Sequence, residues 1–184
     1  MKYIKEKIDG GGAVLRNEEG RAVIKMTVRD DTSFLSPYSG NDVPMISSDV
    51  ADFIKESAVS FKPKEKFVLD IYGECIDCID EEEKIIYTAA IKNYFSAQNV
   101  SGARDLKRNM RIAIVMFLSG LLALSCMFVF ENHGVGELWI ECIDILAWVF
   151  LWETADLLFI SRNAMKVKQT RLNSLIEMPI RFYS

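Results

Sequence analysis

The sequence predicts an α+β domain followed by a two-helix transmembrane hairpin and a short C-terminal helix. Residues 1–109 of the 184-residue chain mix short apolar runs with charges, residues 110–160 hold two long apolar runs, and basic residues flank this pair of runs. The predicted organisation is a cytoplasmic α+β domain at 1–103, a hairpin at 104–162, and a cytoplasmic helix and tail at 163–184.

Three short runs near the N-terminus predict an antiparallel meander. Residues 3–8, 13–16 and 21–28 are separated by a glycine triplet and by an Asn-to-Gly turn signal. Apolar residues in the third run recur at every second position from Ala22 to Val28, which is the period of a half-buried strand.

Two amphipathic helices and a fourth strand follow. Apolar residues at 50, 53, 54, 58 and 61 have helical spacing, residues 67–76 are typical of a strand, and Asp80 with Glu83 forms a capping signal. The predicted order is βββ-α-β-α, a small antiparallel sheet with helices on one face, and a polar linker near 98–102. The final apolar residues 180–183 either add a strand to a sheet edge or form a frayed terminus.

Two apolar runs predict membrane spans at about 111–130 and 139–160. The first has 19 uncharged residues from Ile112 onward, close to the roughly 20 that cross a bilayer core. The second contains three acids in its interior, Asp144, Glu153 and Asp156, besides Glu141 at its outer end, and each interior acid costs roughly 2.5–3.5 kcal/mol at a helix centre. We therefore expect the second run to insert together with the first, the alternative being a soluble helical hairpin buried in a core.

Basic residues predict the topology. Four precede the first span and four follow the second, whereas the loop at 131–138 has none. The positive-inside rule then puts both termini in the cytoplasm of a multi-pass inner (plasma) membrane protein. The flanking basic residues are Arg104, Lys107, Arg108 and Arg111 at the start of the first span, and Arg162, Lys166, Lys168 and Arg171 after the second.

The acids of the second span are candidate functional residues. Helical geometry puts Glu153 roughly 5 Å, Asp144 roughly 8 Å and Asp156 roughly 10 Å from the midplane, with Asp144 on the opposite side from Glu153. Asp156 is predicted to pair with Arg111 and so to lock the hairpin. Glu153 has no basic residue at its depth, so we expect it to be protonated, to face water or to meet a neighbouring subunit.

Other features of the hairpin predict a homo-oligomer. Trp148 and Trp152 lie deep in the span rather than at its interface. Small residues at Ser119, Gly120 and Ala123 allow close helix approach.

A long loop at residues 30–46 offers a second candidate site. Its aromatic, aliphatic and amide side chains suit contact with a protein partner or small ligand, and the alternative is an irregular cover over the sheet. The candidate residues are Phe34, Leu35, Tyr38 and Asn41.

Enzyme chemistry is not expected. Cys75 and Cys78 form an isolated CxxC, and the single histidine, His133, lies in the loop between the spans. A zinc site would need two further ligands, and the chain has no phosphate-binding glycine motif. We expect no metal, no cofactor and, with a net charge of −4, no nucleic acid partner.

Three segments resemble a group of small two-span bacterial membrane proteins that has no assigned activity. They are ISSDVADFIKESA (46–58), IDEEEKIIYTAAIKNYF (79–95) and WVFLWETADLLF (148–159). The resemblance implies a bacterial origin and the same topology, and it implies no functional residue.

Three functional hypotheses follow. The first is a cytoplasmic binding or interaction domain that the hairpin anchors and oligomerises. The second is an oligomeric membrane effector or channel, in which the intramembrane carboxylates lie on a proton or cation path. The third is an enzyme.

Overall fold

The computed structural model describes residues 4–7, 13–28, 33–40, 42–73, 80–134 and 136–183. Contacts divide the chain into two compact units. The α+β unit comprises Met1–Val100 together with Lys168–Ser184, and the helical unit comprises Ser101–Val167.

Five strands and four α-helices make up the described chain, with one π-helical segment between α3 and α4. The strands are β1 Ile4–Lys7, β2 Ala13–Arg16, β3 Ala22–Val28, β4 Phe67–Gly73 and β5 Ile180–Tyr183. The helices are α1 Ser48–Val59, α2 Glu81–Asn132, α3 Glu137–Ala155 and α4 Arg162–Ile176, and the π-helical segment is Asp156–Ser161.

The strands form one mixed sheet in the order β1-β2-β3-β4-β5. The predicted α+β class is confirmed, but the prediction of an antiparallel sheet is wrong, because β3 pairs with β4, and β4 with β5, in parallel. The reason is the position of α1 between β3 and β4: the chain crosses over through the helix and returns in its original direction. Of the two alternatives for residues 180–183, an added edge strand or a frayed terminus, the structure has the edge strand, β5.

One face of the sheet packs against helices to form the core. Alternate residues of β3 and β4 point into it, as the period of two in β3 predicts, and α1, the first turns of α2 and the end of α4 cover them. Each large side chain buried there contributes roughly 1.5–3 kcal/mol. The innermost side chains, at 2% exposure or less, include Ile24, Ile54, Phe67, Leu69, Ile91, Phe95 and Leu175.

Helix α2 is continuous over 52 residues. The predicted capping signal is present at its start, where the Asp80 N–H donates to Glu83 Oε2 at 3.2 Å. The predicted linker near 98–102 is helical instead, because its only helix breaker is Gly102, which costs about 1 kcal/mol relative to alanine. Asn99 Nδ2 also donates to Asn173 Oδ1 of α4 at 2.7 Å, which stabilises the helix at this point.

Within the helical unit, α2 and α3 run antiparallel. Gly120 of α2 lies against Phe150 and Leu151 of α3, and a tight turn with Gly134 at φ 71° joins the two helices. Helix α2 is long and apolar enough to cross a membrane by length and composition. Among the described residues α2 is the one helix that meets this criterion; the 19 residues of α3 carry four carboxylates, namely Glu137, Glu141, Asp144 and Glu153.

Candidate functional site

The carboxylates of α3 lie on two different faces. Asp144 is half-buried and lies on one helical stripe with Ala147 and Thr154, which are 0% and 5% exposed. Glu153 is exposed and lies on the other side, as a rotation of about 100° per residue requires. The two acids therefore do not form one continuous acidic stripe.

Small residues share one face of α2, and Gly120 among them contacts α3. Ala113 and Ala123 are 1% and 8% exposed, and Gly120 lies between them on the same face and is buried. A Cβ atom at position 120 would lie 3.2 Å from Leu151 Cδ2 and 3.4 Å from Phe150 Cβ. The absence of a side chain at Gly120 therefore sets how closely the two helices approach.

We expect Gly120→Leu to loosen the pair of helices. The added side chain must displace Leu151, which costs roughly 1–3 kcal/mol in a well-packed contact. Thermal unfolding in detergent, followed by circular dichroism, measures the effect. Gly102→Leu is the matched control, because nothing lies within 4 Å of a Cβ at that position; equal melting temperatures for both variants would contradict the prediction.

The predicted ion pair between Arg111 and Asp156 is not formed. Asp156 Oδ2 accepts a hydrogen bond from Ser161 Oγ at 3.2 Å, and the ion pairs of the described residues do not include one to Arg111. The reason is the register of the helices. The Gly120–Leu151 contact and the hydrogen bond from Asn109 Nδ2 to Met165 Sδ put Arg111 opposite residues 160–163, about 6–10 Å along the axis from Asp156.

Asp156 also begins the π-helical segment. Its side-chain hydrogen bond to Ser161 spans five residues, the same spacing as the backbone bonds of a π-helix. Such segments are frequent at functional sites. Sequence reasoning missed this feature, and the only local signal for it was a serine five residues after an acid.

Glu153 lies on an apolar surface that we call the α3 outer face, defined by Ile145, Trp148, Val149, Trp152 and Glu153. Its four apolar members are 55–71% exposed. In the part of the chain that the structure describes, Glu153 makes no hydrogen bond or ion pair through its side chain. The helical unit thus presents an unpartnered carboxylate among exposed aromatic and aliphatic side chains.

The loop candidates divide into buried and exposed residues. Phe34 is 2% exposed, and its ring lies 4.8 Å from that of Tyr87, so its prediction as a ligand contact is wrong: the benzyl group belongs to the core. Leu35 is half-buried and bridges to Ile46. Tyr38 is 95% exposed, and Asn41 lies outside the described residues.

A charged row on the other face of the sheet was not predicted as a site. Lys25, Asp70 and Arg181 are neighbours across β3, β4 and β5, and Asp70 is 0% exposed. A hydrogen bond with Tyr183 raises the pKa of the Arg181 guanidinium, against an opposing effect of desolvation and with smaller support from the Tyr183 and Asp70 charges. The one sequence signal was a lone acid in the otherwise apolar start of β4.

Two stacked tyrosines continue this face. The rings of Tyr72 and Tyr183 lie 5.2 Å apart, and Lys25 Nζ lies 5.6 Å from the Tyr72 ring centroid. These contacts join β3, β4 and β5 on the side away from the helices. They stabilise the pairing of β5 in addition to its backbone hydrogen bonds.

Cys75 and Cys78 lie outside the described residues. Among the residues that the structure does describe, no three His, Cys, Asp or Glu side chains come together as a metal site would require. Comparison with family models, with curated proteins and with solved structures finds no match to the chain.

Proposed function

We propose that the chain is an integral membrane protein, with α2 and the α3–π run as a two-span hairpin that anchors and oligomerises a cytoplasmic interaction domain. The observation that carries the proposal is the exposed apolar surface of the helical unit. Only 11% of the most apolar 18-residue window of α2 is buried, whereas the core helix of a soluble protein would be mostly buried. Exposed apolar surface of this extent requires a bilayer or a partner.

The pairing of strands from before and after the helical unit supports an even number of membrane crossings. Strand β5 pairs with β4, so the chain before the helical unit and the chain after it belong to one folded unit. A chain that crosses once through α2 must therefore cross back before β5. The α3–π run, Glu137–Ser161, is the helical segment available for the return.

Charge supports an orientation with both termini in the cytoplasm. The turn between α2 and α3 has no Lys or Arg, and basic residues lie beyond the other end of each span. This orientation corresponds to a multi-pass protein of a bacterial inner membrane, in line with the resemblance of its sequence.

The loop at 33–46 supports a contact role for the cytoplasmic domain. Backbone hydrogen bonds from Ser36 N to Met45 O and from Ser47 N to Phe34 O, at 2.8 and 2.9 Å, close its base. Tyr38 and Val43 project from the loop with 95% and 51% exposure. A held loop with an exposed aromatic tip suits a protein partner or small ligand.

Glu153 supports self-association. A carboxyl group near a bilayer centre costs roughly 2.5–3.5 kcal/mol, and a polar partner supplied by another copy offsets part of that cost. A second candidate function rests on the same residue: in an assembly that turns Glu153 toward a central axis, the carboxylates would line a proton or cation path.

Insertion and topology are tested together in cells that express the full chain with its four cysteines replaced by serine. We expect the protein to resist alkaline carbonate extraction. We expect a membrane-impermeant maleimide to label His133→Cys in intact cells but to label Lys64→Cys and Lys168→Cys only after lysis. Release by carbonate would contradict insertion, and labelling of Lys64→Cys and Lys168→Cys on opposite sides would contradict two spans.

A further inference from the structure

We infer that four cations on α2 form a binding site for the headgroup of an anionic phospholipid. The inference rests on the proposed membrane insertion and adds a specific ligand to it. The cations, which we call the basic stripe, are Arg104, Lys107, Arg108 and Arg111.

The basic stripe lies on a single face of the helix. Its members follow i, i+3, i+4, i+7 spacing, which puts them on one side of α2, and all four are exposed. Arg108 has one carboxylate contact, an exposed one to Asp105 at 3.4 Å. Across the described ranges the other three have no carboxylate partner, so the stripe concentrates positive charge in a chain of net charge −4.

An apolar surface continues the same face. Val115, Leu118 and Leu122 extend the helical spacing of the stripe and are 62%, 58% and 66% exposed. Where the two surfaces meet there is a shallow depression, lined by Arg108, Arg111, Ile112, Val115 and Met116. Two guanidinium groups above an apolar groove match an amphiphile with an anionic head and an acyl chain.

Their position along the axis of α2, close to the start of the apolar run, makes Arg108 and Arg111 the principal contacts for the lipid headgroup. Along the helix axis they lie about 6 Å and 2 Å from Ile112, where the apolar run begins, whereas Arg104 lies about 12 Å away. A headgroup layer is about 5–7 Å thick on each side of the hydrocarbon core. Guanidinium groups at this depth bind phosphate oxygens in a bidentate manner.

Native mass spectrometry of the full chain in detergent tests the site, with added phosphatidylglycerol and phosphatidylcholine of identical acyl chains. Each cation near an anionic surface contributes roughly fivefold in affinity. We therefore expect Arg108→Gln with Arg111→Gln to lower the preference for phosphatidylglycerol by roughly 25-fold. Arg108→Lys with Arg111→Lys should lower the preference less than the glutamine variant, because the charge is retained while the bidentate geometry of the guanidinium groups is lost.

The matched control is Lys62→Gln with Lys64→Gln, which removes two exposed cations from the α+β unit and should leave the preference unchanged. Equal retention of both lipids by the wild-type chain would overturn the inference. Displacement of the lipid by millimolar inorganic phosphate would also overturn it, since the site would then recognise free phosphate. A third result would also overturn it: the Arg108 and Arg111 double variant keeps its preference for phosphatidylglycerol but loses the oligomer. A second copy of the chain would then be the occupant of the basic stripe.

Flotation with phosphatidylcholine vesicles and, separately, with phosphatidylglycerol vesicles distinguishes this inference from the proposed function. A chain that floats without lipid preference is inserted but lacks the site. A chain that does not float with either lipid contradicts the proposed insertion, and with it the inference.

Discussion

Deletion of residues 179–184 is expected to unfold the α+β unit. The deletion removes β5, whose Ile180 and Phe182 pack against the core, and uncovers Met178, which is 2% exposed. Partial burial of two large side chains is worth about 3 kcal/mol, and the lost backbone hydrogen bonds to β4 add a similar amount at about 1 kcal/mol each. The sum approaches the whole stability of a small domain, about 5–15 kcal/mol.

Limited proteolysis of the full chain measures this effect, and the readout is cleavage within residues 42–73. Two point variants provide a matched comparison within β5. Phe182→Ser should destabilise the unit more than Tyr183→Ser, because Phe182 packs on the core whereas Tyr183 stacks on Tyr72 on the other face. A deletion variant as resistant to protease as the wild-type chain would show that β5 is dispensable.

Glu153→Leu is expected to favour insertion of the second span and to weaken the oligomer. Replacing the carboxyl group by an apolar side chain removes a cost of about 3 kcal/mol at the bilayer centre. It also removes the polar group through which we expect copies to associate, a contact worth about 0.6–1.7 kcal/mol in membranes. Chemical crosslinking in native membranes should therefore show smaller species for the variant than for the wild-type chain.

Glu141→Gln is the control, because Glu141 is also exposed on α3 but lies at the outer interface in the predicted span. A wild-type chain that crosslinks only as a monomer would remove the oligomer from the proposal. Ion flux into liposomes tests the second candidate function, a proton or cation path through the membrane. That function requires flux with the wild-type chain that is lost in Glu153→Gln. Flux equal to that of empty vesicles would eliminate it.

Local patterns predicted most of the elements of the α+β unit. The alternation from Ala22 to Val28 and the Asp80–Glu83 capping signal are local, and both appear in the structure. Strand direction is not local, because it depends on the crossover through α1. The row formed by Lys25, Asp70 and Arg181 likewise depends on the pairing of β5, which a four-residue apolar segment predicts only weakly.

The sequence predicts the side of α3 on which each acid lies, but it does not predict the level at which α3 packs against α2. A rotation of about 100° per residue separates Asp144 from Glu153 whatever the helices pack against. The pairing of Arg111 with Asp156 required the level at which α2 meets α3. That level follows from the close contact at Gly120 and Leu151, and an offset of a few residues was enough to separate the two charges.

The position of β5 in the sheet also has a consequence for biosynthesis. The α+β unit is interrupted by the 67 residues of Ser101–Val167, so its sheet is incomplete when residue 100 leaves the ribosome. At about 5–20 residues per second, β5 follows roughly 4–17 s later, after both proposed spans. In the proposed topology β5 reaches β4 only if the second span has returned the chain to the cytoplasm, so completion of the soluble fold reports correct membrane insertion.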